Sequence, residues 1–338
     1  VGSRRRRHAR AALLALLGLG LLVGTTGATF SSRTFNANNR VTAAPDFRAP
    51  TASASVVFKS QTPGSSTGYI RQGGTYRVYA TVADTGNPAS GTSTVTADVS
   101  AFTTGTTAAT LSTGSFTVSG VTYNHRSAVL TASNPVSAGS KSFTFALTDV
   151  AANTQTVSGA GVIVDNTAPA ANDIQTTNSA TAGQANNGDT VIYTYSEPID
   201  PDTILSGWSG ASTSVQADLI DGGGGLLGLG LGSGNDALTI KSPGGTLLPL
   251  TVDLGSADYT YDVVLVLRVV CDTPIHSSTM ALSGSTITVT FGGLTGSCAH
   301  TSGNSTMTYA PTAGPTDHAG NALPTTQRTE TGGSDADF

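Results

Sequence analysis

Thr75-Tyr76-Arg77-Val78-Tyr79-Ala80-Thr81-Val82-Ala83-Asp84 decides the fold. Tyr76, Val78, Ala80 and Val82 point one way, while Thr75, Arg77, Tyr79 and Thr81 point the other. That period of two is what a half-buried antiparallel strand requires. Shorter stretches on both sides repeat the device, each stopped by Gly, Pro, Asn or Asp. Strands are predicted at 55–59, 93–99, 114–121, 128–132, 141–149 and 155–165, with Phe143, Phe145, Leu147, Val162 and Val164 inward. Strands at this density, with regular turn signals between them, predict an all-β sandwich.

The same spacing fits an immunoglobulin-like sandwich, although the Cys-Trp-Cys signature of antibody domains is absent. Val164-Asp165-Asn166-Thr167-Ala168-Pro169 ends this unit, because Asp and Asn favour a turn and Pro169 stops a strand ladder. A second unit follows, with strands predicted at 189–197, 236–241, 261–271 and 286–291. Val191, Tyr193 and Tyr195 share one face of the first of these, which Glu197-Pro198-Ile199-Asp200 breaks. Gly222 to Gly234, carrying Leu226, Leu227, Leu229 and Leu231, reads as a flexible insertion between strands, the alternative being an apolar contact patch. The apolar run at 263–270 is too short for a membrane span and reads as a buried strand.

Several of these phrases resemble known ones. Asp165 to Pro169 is similar to the junction between tandem bacterial Ig-like domains of secreted and cell-surface, S-layer-type actinobacterial proteins. Thr148-Asp149-Val150-Ala151-Ala152-Asn153 resembles the Thr-Asp-x-Ala-Gly-Asn turn of that family, with Ala152 in place of Gly. Thr316-Asp317-His318-Ala319-Gly320-Asn321 matches the turn fully, and Ser196-Glu197-Pro198-Ile199-Asp200 resembles a strand ending of the same domains. The resemblance spans residues 51 to 329 and implies two tandem Ig-like sandwiches acting as structural or adhesive modules.

At the other end, Arg4, Arg5, Arg6, Arg7 and Arg10 precede an apolar run at 11–23, and Thr26-Gly27-Ala28 offers small residues for cleavage. That order predicts a secretory signal peptide. Ser3-Arg4-Arg5 leaves a twin-arginine route open. The expected organisation is a signal peptide at 1–28, a linker at 29–50, a sandwich at 51–166, a linker at 167–170, a second sandwich with the Gly/Leu insertion at 171–329, and an acidic tail at 330–338. Leu323-Pro324-Thr325-Thr326-Gln327 lacks the Gly of a sortase site, so the expected product is secreted or held loosely at the cell surface.

Composition narrows the partners. The net charge is −5, with only 11% of the 338 residues charged. Five arginines of the basic head are lost if the signal is removed, which makes the remainder more acidic. Nucleic acid would require a basic patch, so it is not an expected partner. Cys271 and Cys298 in an exported chain are expected to form a disulfide.

Catalytic patterns are lacking. His125, His276, His300 and His318 have no zinc-protease spacing, Gly-x-Ser-x-Gly is absent, and Glu197, Asp200 and Asp202 read as turn formers. No cofactor is expected; calcium is the one worth weighing, against the simpler reading that Asp and Asn cap turns without metal. Asp149, Asn153, Asp165, Asn166 and Asp173 lie near the boundary between the two units, and Ca²⁺ takes six to eight oxygens from such side chains. Trp208 is a candidate contact residue. The expectation is a non-catalytic structural or adhesive protein that meets an envelope or extracellular protein or glycan. A carbohydrate-binding accessory or a secreted hydrolase is the alternative.

Overall fold

The computed structural model describes residues 46–60, 64–222, 234–260, 273–294 and 301–338. Among these the chain is built from β-strands, with a single 3₁₀ turn at Pro201–Thr203 and no α-helix. No helix among the described residues is long and apolar enough to cross a membrane. The predicted signal at 1–28, the strand at 261–271, Cys271, Cys298, His300 and most of the Gly/Leu insertion lie outside the described residues.

The first half contains β1 (Thr51–Lys59), β2 (Tyr69–Ile70), β3 (Thr75–Ala83), β4 (Thr92–Asp98), β5 (Ala109–Val118), β6 (Val121–Ser127), β7 (Leu130–Thr131), β8 (Gly139–Lys141), β9 (Thr144–Asp149), β10 (Thr154–Ser158) and β11 (Val162–Val164). They form a curled antiparallel sheet in the order β1-β3-β6-β5-β4-β9-β10, with β7 beside β3. A small sheet, β2-β11-β8, accompanies it. β5 carries the curl: Ala109 and Thr110 pair with β4, residues 111–118 pair with β6, and a bulge falls between Thr113 and Phe116.

Alternation in β3 works as the sequence predicts. Tyr76, Val78, Ala80 and Val82 are buried in a core shared with Val57, Val95, Phe145, Leu147, Val162 and Val164. On the opposite face Tyr79 packs with Val118 and Tyr123 in a smaller cluster. The hairpin β5–β6 departs from the expected strands at 114–121 and 128–132. It turns at Ser119 (φ 46°) and Gly120 (φ 80°), the pair of positive dihedrals that a tight hairpin needs. Residues 112–115 of β5 face solvent, so they carry no apolar alternation to announce a strand. The predicted strand at 155–165 is two strands, β10 and β11, parted at Gly159-Ala160-Gly161.

The second half contains β12 (Ala171–Thr177), β13 (Thr190–Tyr195), β14 (Thr213–Ile220), β15 (Ala237–Lys241), β16 (Val252–Asp253), β17 (Thr273–Ser283), β18 (Thr286–Thr290), β19 (Gly293–Leu294), β20 (Thr308–Tyr309) and β21 (Arg328–Thr329). The order is β12-β13-β18-β17-β14-β15-β16-β20-β21, with β19 beside β17. β12, β14 and β17 fall outside the strands expected from the sequence, although Val215, Ala217 and Leu219 of β14 alternate with polar residues. A separate core fills this half, centred on three tyrosines: the Tyr309 ring lies 5.1 Å from that of Tyr193 and 6.3 Å from that of Tyr195. Tyr193 donates to the Leu250 carbonyl at 2.7 Å, and the Tyr195 and Tyr309 hydroxyls bond to each other at 3.1 Å. Each phenol thus buries its ring without orphaning its oxygen.

Candidate functional site at the junction of the two cores

The two Asp-to-Asn turns are superposable in their bonding. Asp149 Oδ1 accepts the Asn153 backbone N–H at 2.7 Å, and Oδ2 accepts the Asn153 amide at 2.7 Å. Asp317 and Asn321 repeat both bonds at 2.8 and 2.7 Å. Each Asn amide also reaches one carbonyl upstream: Asn153 to Asp46 at 3.3 Å, and Asn321 to Asp165 at 3.0 Å. Those two acceptors open matching phrases, Asp46-Phe47-Arg48-Ala49-Pro50 and Asp165-Asn166-Thr167-Ala168-Pro169. Asp84, just after β3, has its counterpart in Glu197, just after β13. Each half therefore carries a carboxylate triad, Asp46/Asp84/Asp149 and Asp165/Glu197/Asp317, with ligand oxygens within 4.8 Å of one another.

The two triads are satisfied differently. In the first, Asp84 accepts backbone N–H bonds from Gly86 at 3.0 Å and Gly91 at 2.7 Å, and Asp46 accepts those of Arg48 and Ser90 at 2.9 and 3.1 Å. In the second, Glu197 Oε1 is buried and accepts nothing. Burial, then the charges of Asp165 and Asp317, push the Glu197 carboxyl up to about 7. Burial likewise raises Asp317.

A second set of contacts ties the first half to the second beside this triad. Lys59, at the end of β1, is 2% exposed and Asp200 is fully buried; their Nζ and Oδ2 are 2.7 Å apart. The same ammonium donates to the His318 carbonyl at 2.7 Å, and Ser66 N–H reaches Asp200 Oδ2 at 3.2 Å. Asp200 is fixed from its own side by a backbone bond to Thr316 at 2.8 Å. Gly64 (φ +96°) completes the fit, since a Cβ there would stand 2.1 Å from Asp200 Oδ2. The His318 imidazole bonds Ser66 Oγ through Nδ1 and lies 5.2 Å from the Tyr69 ring. Asn166, at the end of the first half, is held within that half by accepting from Gln72 N–H and donating to the Val136 carbonyl, both at 2.8 Å.

The five residues weighed as calcium ligands thus fall in three places. Asp149 belongs to the first triad and Asn153 bonds it, Asp165 belongs to the second, and Asn166 beside it hydrogen-bonds back into the first half. Asp173 lies apart, where it accepts the Thr331 N–H at 2.9 Å and hydroxyl at 2.8 Å. Trp208 is not an exposed contact residue: it is 5% exposed, packs in the second core and donates its indole N–H to the Ala211 carbonyl at 2.6 Å. Its edge borders an open depression with Leu205 and Pro243. Sequence reading missed Asp46, Asp84 and Lys59, and it read Asp200 as a turn former, not as the partner of a buried lysine. The repeated Asp-x-x-Ala-Pro phrase was the available signal for the first, and a Lys in register with inward-facing Val57 was the signal for the third.

Ser66 and His318 resemble two members of a hydrolytic triad, yet no carboxylate bonds the remaining imidazole nitrogen among the described residues, and the pair sits within the inter-half contact. No protein-family model matches the chain, and no curated protein matches it.

Proposed function

We propose that this is an exported, non-catalytic structural or adhesive protein whose two cores are tandem Ig-like sandwiches held at a fixed angle. The observation that carries the reading is the buried Lys59–Asp200 pair. A flexible linker would need no such contact, whereas a spacer gains from one. The strand order supports the Ig-like assignment: β1-β3-β6-β5 followed by β4-β9-β10 corresponds to the A-B-E-D and C-F-G sheets of that fold. The second half follows the same path, with β15 and β16 inserted where the first half pairs β4 directly to β9. Export rests on the basic head and apolar run at 1–23, and the Cys271–Cys298 disulfide on that export. The partner is an envelope or extracellular protein or glycan, met through loops and strand edges. A carbohydrate-binding role is the weaker reading, because Trp208 is core.

The test is a pull-down of the purified protein against envelope fractions, combined with residual dipolar couplings that report the relative orientation of the halves. One fixed orientation and capture of an envelope component are expected. Freely averaging halves would refute the spacer, and turnover of a general ester or glycoside substrate would refute the non-catalytic reading.

A second reading is favoured by the unpartnered Glu197 oxygen: the triad at the junction takes calcium and stiffens the joint. Calcium titration followed by thermal melting tests it, and an unchanged midpoint at millimolar Ca²⁺ removes it.

A further inference from the structure

The segment after β21 is acidic, and it folds onto the second core. Phe338 is fully buried, its ring 5.2 Å from Phe291 and 5.6 Å from Tyr259. Along the way Glu330, Asp335 and Asp337 each bring a carboxylate oxygen within 4.8 Å of the others. Asp337 is 1% exposed and well held. Its Oδ2 accepts from Tyr259 at 3.1 Å and Ser305 at 2.8 Å, and its Oδ1 accepts from Thr176 at 3.2 Å. These are neutral donors, so they leave the charge uncompensated.

Glu330 is the informative member. Its side chain is more than nine-tenths buried at 8% exposure, and its Oε1 is sealed from solvent without any hydrogen-bond donor. Leaving a buried acceptor unmatched costs about 1–3 kcal/mol, and more when it is charged. No Lys, Arg or His pairs with any of the three carboxylates among the described residues. Burial, then the charge of Asp337 and those of Asp335 and Asp173, push the Glu330 carboxyl up to about 7 against one backbone hydrogen bond from Met307. Glu330 thus brings a carboxylate oxygen within 4.8 Å of two other carboxylates, and its buried Oε1 receives neither a hydrogen-bond donor nor a cation from the described residues, which leaves a ligand position open to a hard cation.

We propose that Glu330, Asp335 and Asp337 form a binding site for a divalent cation of the calcium class. All three donors are oxygens, the class that Ca²⁺ prefers. Two of the ligands are buried and one is exposed, so the ion enters from the Asp335 side and completes its shell with water. Occupancy ties the segment 330–338 to the core and holds Phe338 in place between Tyr259 and Phe291. The site is separate from the junction triad and does not depend on its filling.

Terbium, a luminescent calcium mimic, tests this directly, because the Tyr259 hydroxyl touches Asp337 and can sensitise a bound ion. The purified protein is expected to show tyrosine-sensitised terbium emission that calcium displaces. Asp335→Asn alters an exposed residue and leaves folding intact; it should weaken the emitting site at least tenfold. Glu330→Gln should do the same, and Tyr259→Phe should lose the emission. Glu197→Gln, at the junction, should leave this component unchanged. Absence of emission from the wild type, emission that calcium does not displace, or full emission in both Asp335→Asn and Tyr259→Phe overturns the proposal. Loss of a calcium response in Glu197→Gln alone would speak only to the junction triad.

Discussion

Replacing Lys59 by Met should cost about 3–5 kcal/mol, far more than a surface charge is worth. At an effective dielectric of about 20, two unit charges 2.7 Å apart attract by roughly 6 kcal/mol. Several kcal/mol per ion are spent removing both from water, so the intact pair contributes little net stability. Removing only the cation leaves that desolvation in place. Asp200 then stays fully buried with the Ser66 N–H as its remaining inter-half donor and its Oδ1 already unpartnered. Breaking a buried pair from one side costs about 3–5 kcal/mol, whereas replacing both members by apolar groups is often neutral. The double variant Lys59→Met/Asp200→Leu should therefore recover most of the loss. Gly64→Ala, whose Cβ would collide with Asp200 Oδ2 and whose backbone favours glycine, should injure the same joint by an independent route. Urea and thermal unfolding of the purified protein measure all of these, with a midpoint drop on the order of 10 °C expected for Lys59→Met. A single variant that loses under about 1 kcal/mol, or a double variant no better than the single, would refute the reasoning.

Ala152 sits at φ 68° where its counterpart Gly320 sits at φ 89°. A non-glycine residue there costs roughly 1–2 kcal/mol, and the greater entropy of unfolded glycine returns part of it, so Ala152→Gly should stabilise by about 0.5–1 kcal/mol in urea unfolding. Asn321→Ala removes one bond to a carboxylate and one to the Asp165 carbonyl and should cost about 2–4 kcal/mol; Asn153→Ala, at a more exposed turn with a longer carbonyl bond, should cost less. Glu197 and Glu330 both have folded pKa values raised to about 7 from 4.5, so the folded state binds more protons between those limits. In chelator their contribution to stability must fall as pH rises from 4.5 to 7, opposed by His125, whose pKa is lowered by burial and which penalises acid. Comparing midpoints at pH 5.5 and 7.5, Glu197→Gln should be relatively more stable than wild type at the higher pH; an identical pH slope in both proteins would contradict the assignment.

How much of this was legible depended on where each residue's information lies. β3 and β9 were readable because one face enters a core and the other does not, so apolar and polar residues must alternate. β5 was not, because neither face of its middle is buried and Ser, Thr and Gly suffice there. β12 was not, because Ile174 is its single buried residue, and β17 places His276, Ser277 and Ser278 in mid-strand; β14 does alternate, with Val215, Ala217 and Leu219 buried between Gln216 and Asp218, so its signal was present in the sequence. The turns at Asp149 and Asp317 could be read, since an Asp and an Asn four residues apart bond locally. The triads could not, because their third members come from a strand end distant in sequence. Lys59 and Asp200 are 141 residues apart, and nothing local marks either as buried except the inward register of β1.

The two triads also show how a small local change alters what a shared motif can do. After β3 the chain runs Asp84-Thr85-Gly86, and the turn wraps back so that the N–H groups of Gly86 and Gly91 fill both Asp84 oxygens. After β13 it runs Glu197-Pro198-Ile199. Proline has no N–H to give, and the following residues are drawn away to pair with 316 and 317. The longer Glu side chain then meets Asp165 and Asp317 with no backbone donor to quiet it. The first triad is internally satisfied and has little to gain from a cation. The second holds an oxygen that must find a proton or a metal. If calcium stiffens this protein at its junction, the response must therefore belong to the second triad. Asp84→Asn should leave the calcium-dependent rise in melting midpoint intact, and Glu197→Gln should remove the junction's share of it. The reverse pattern would mean that the backbone donors around Asp84 do not satisfy the first triad.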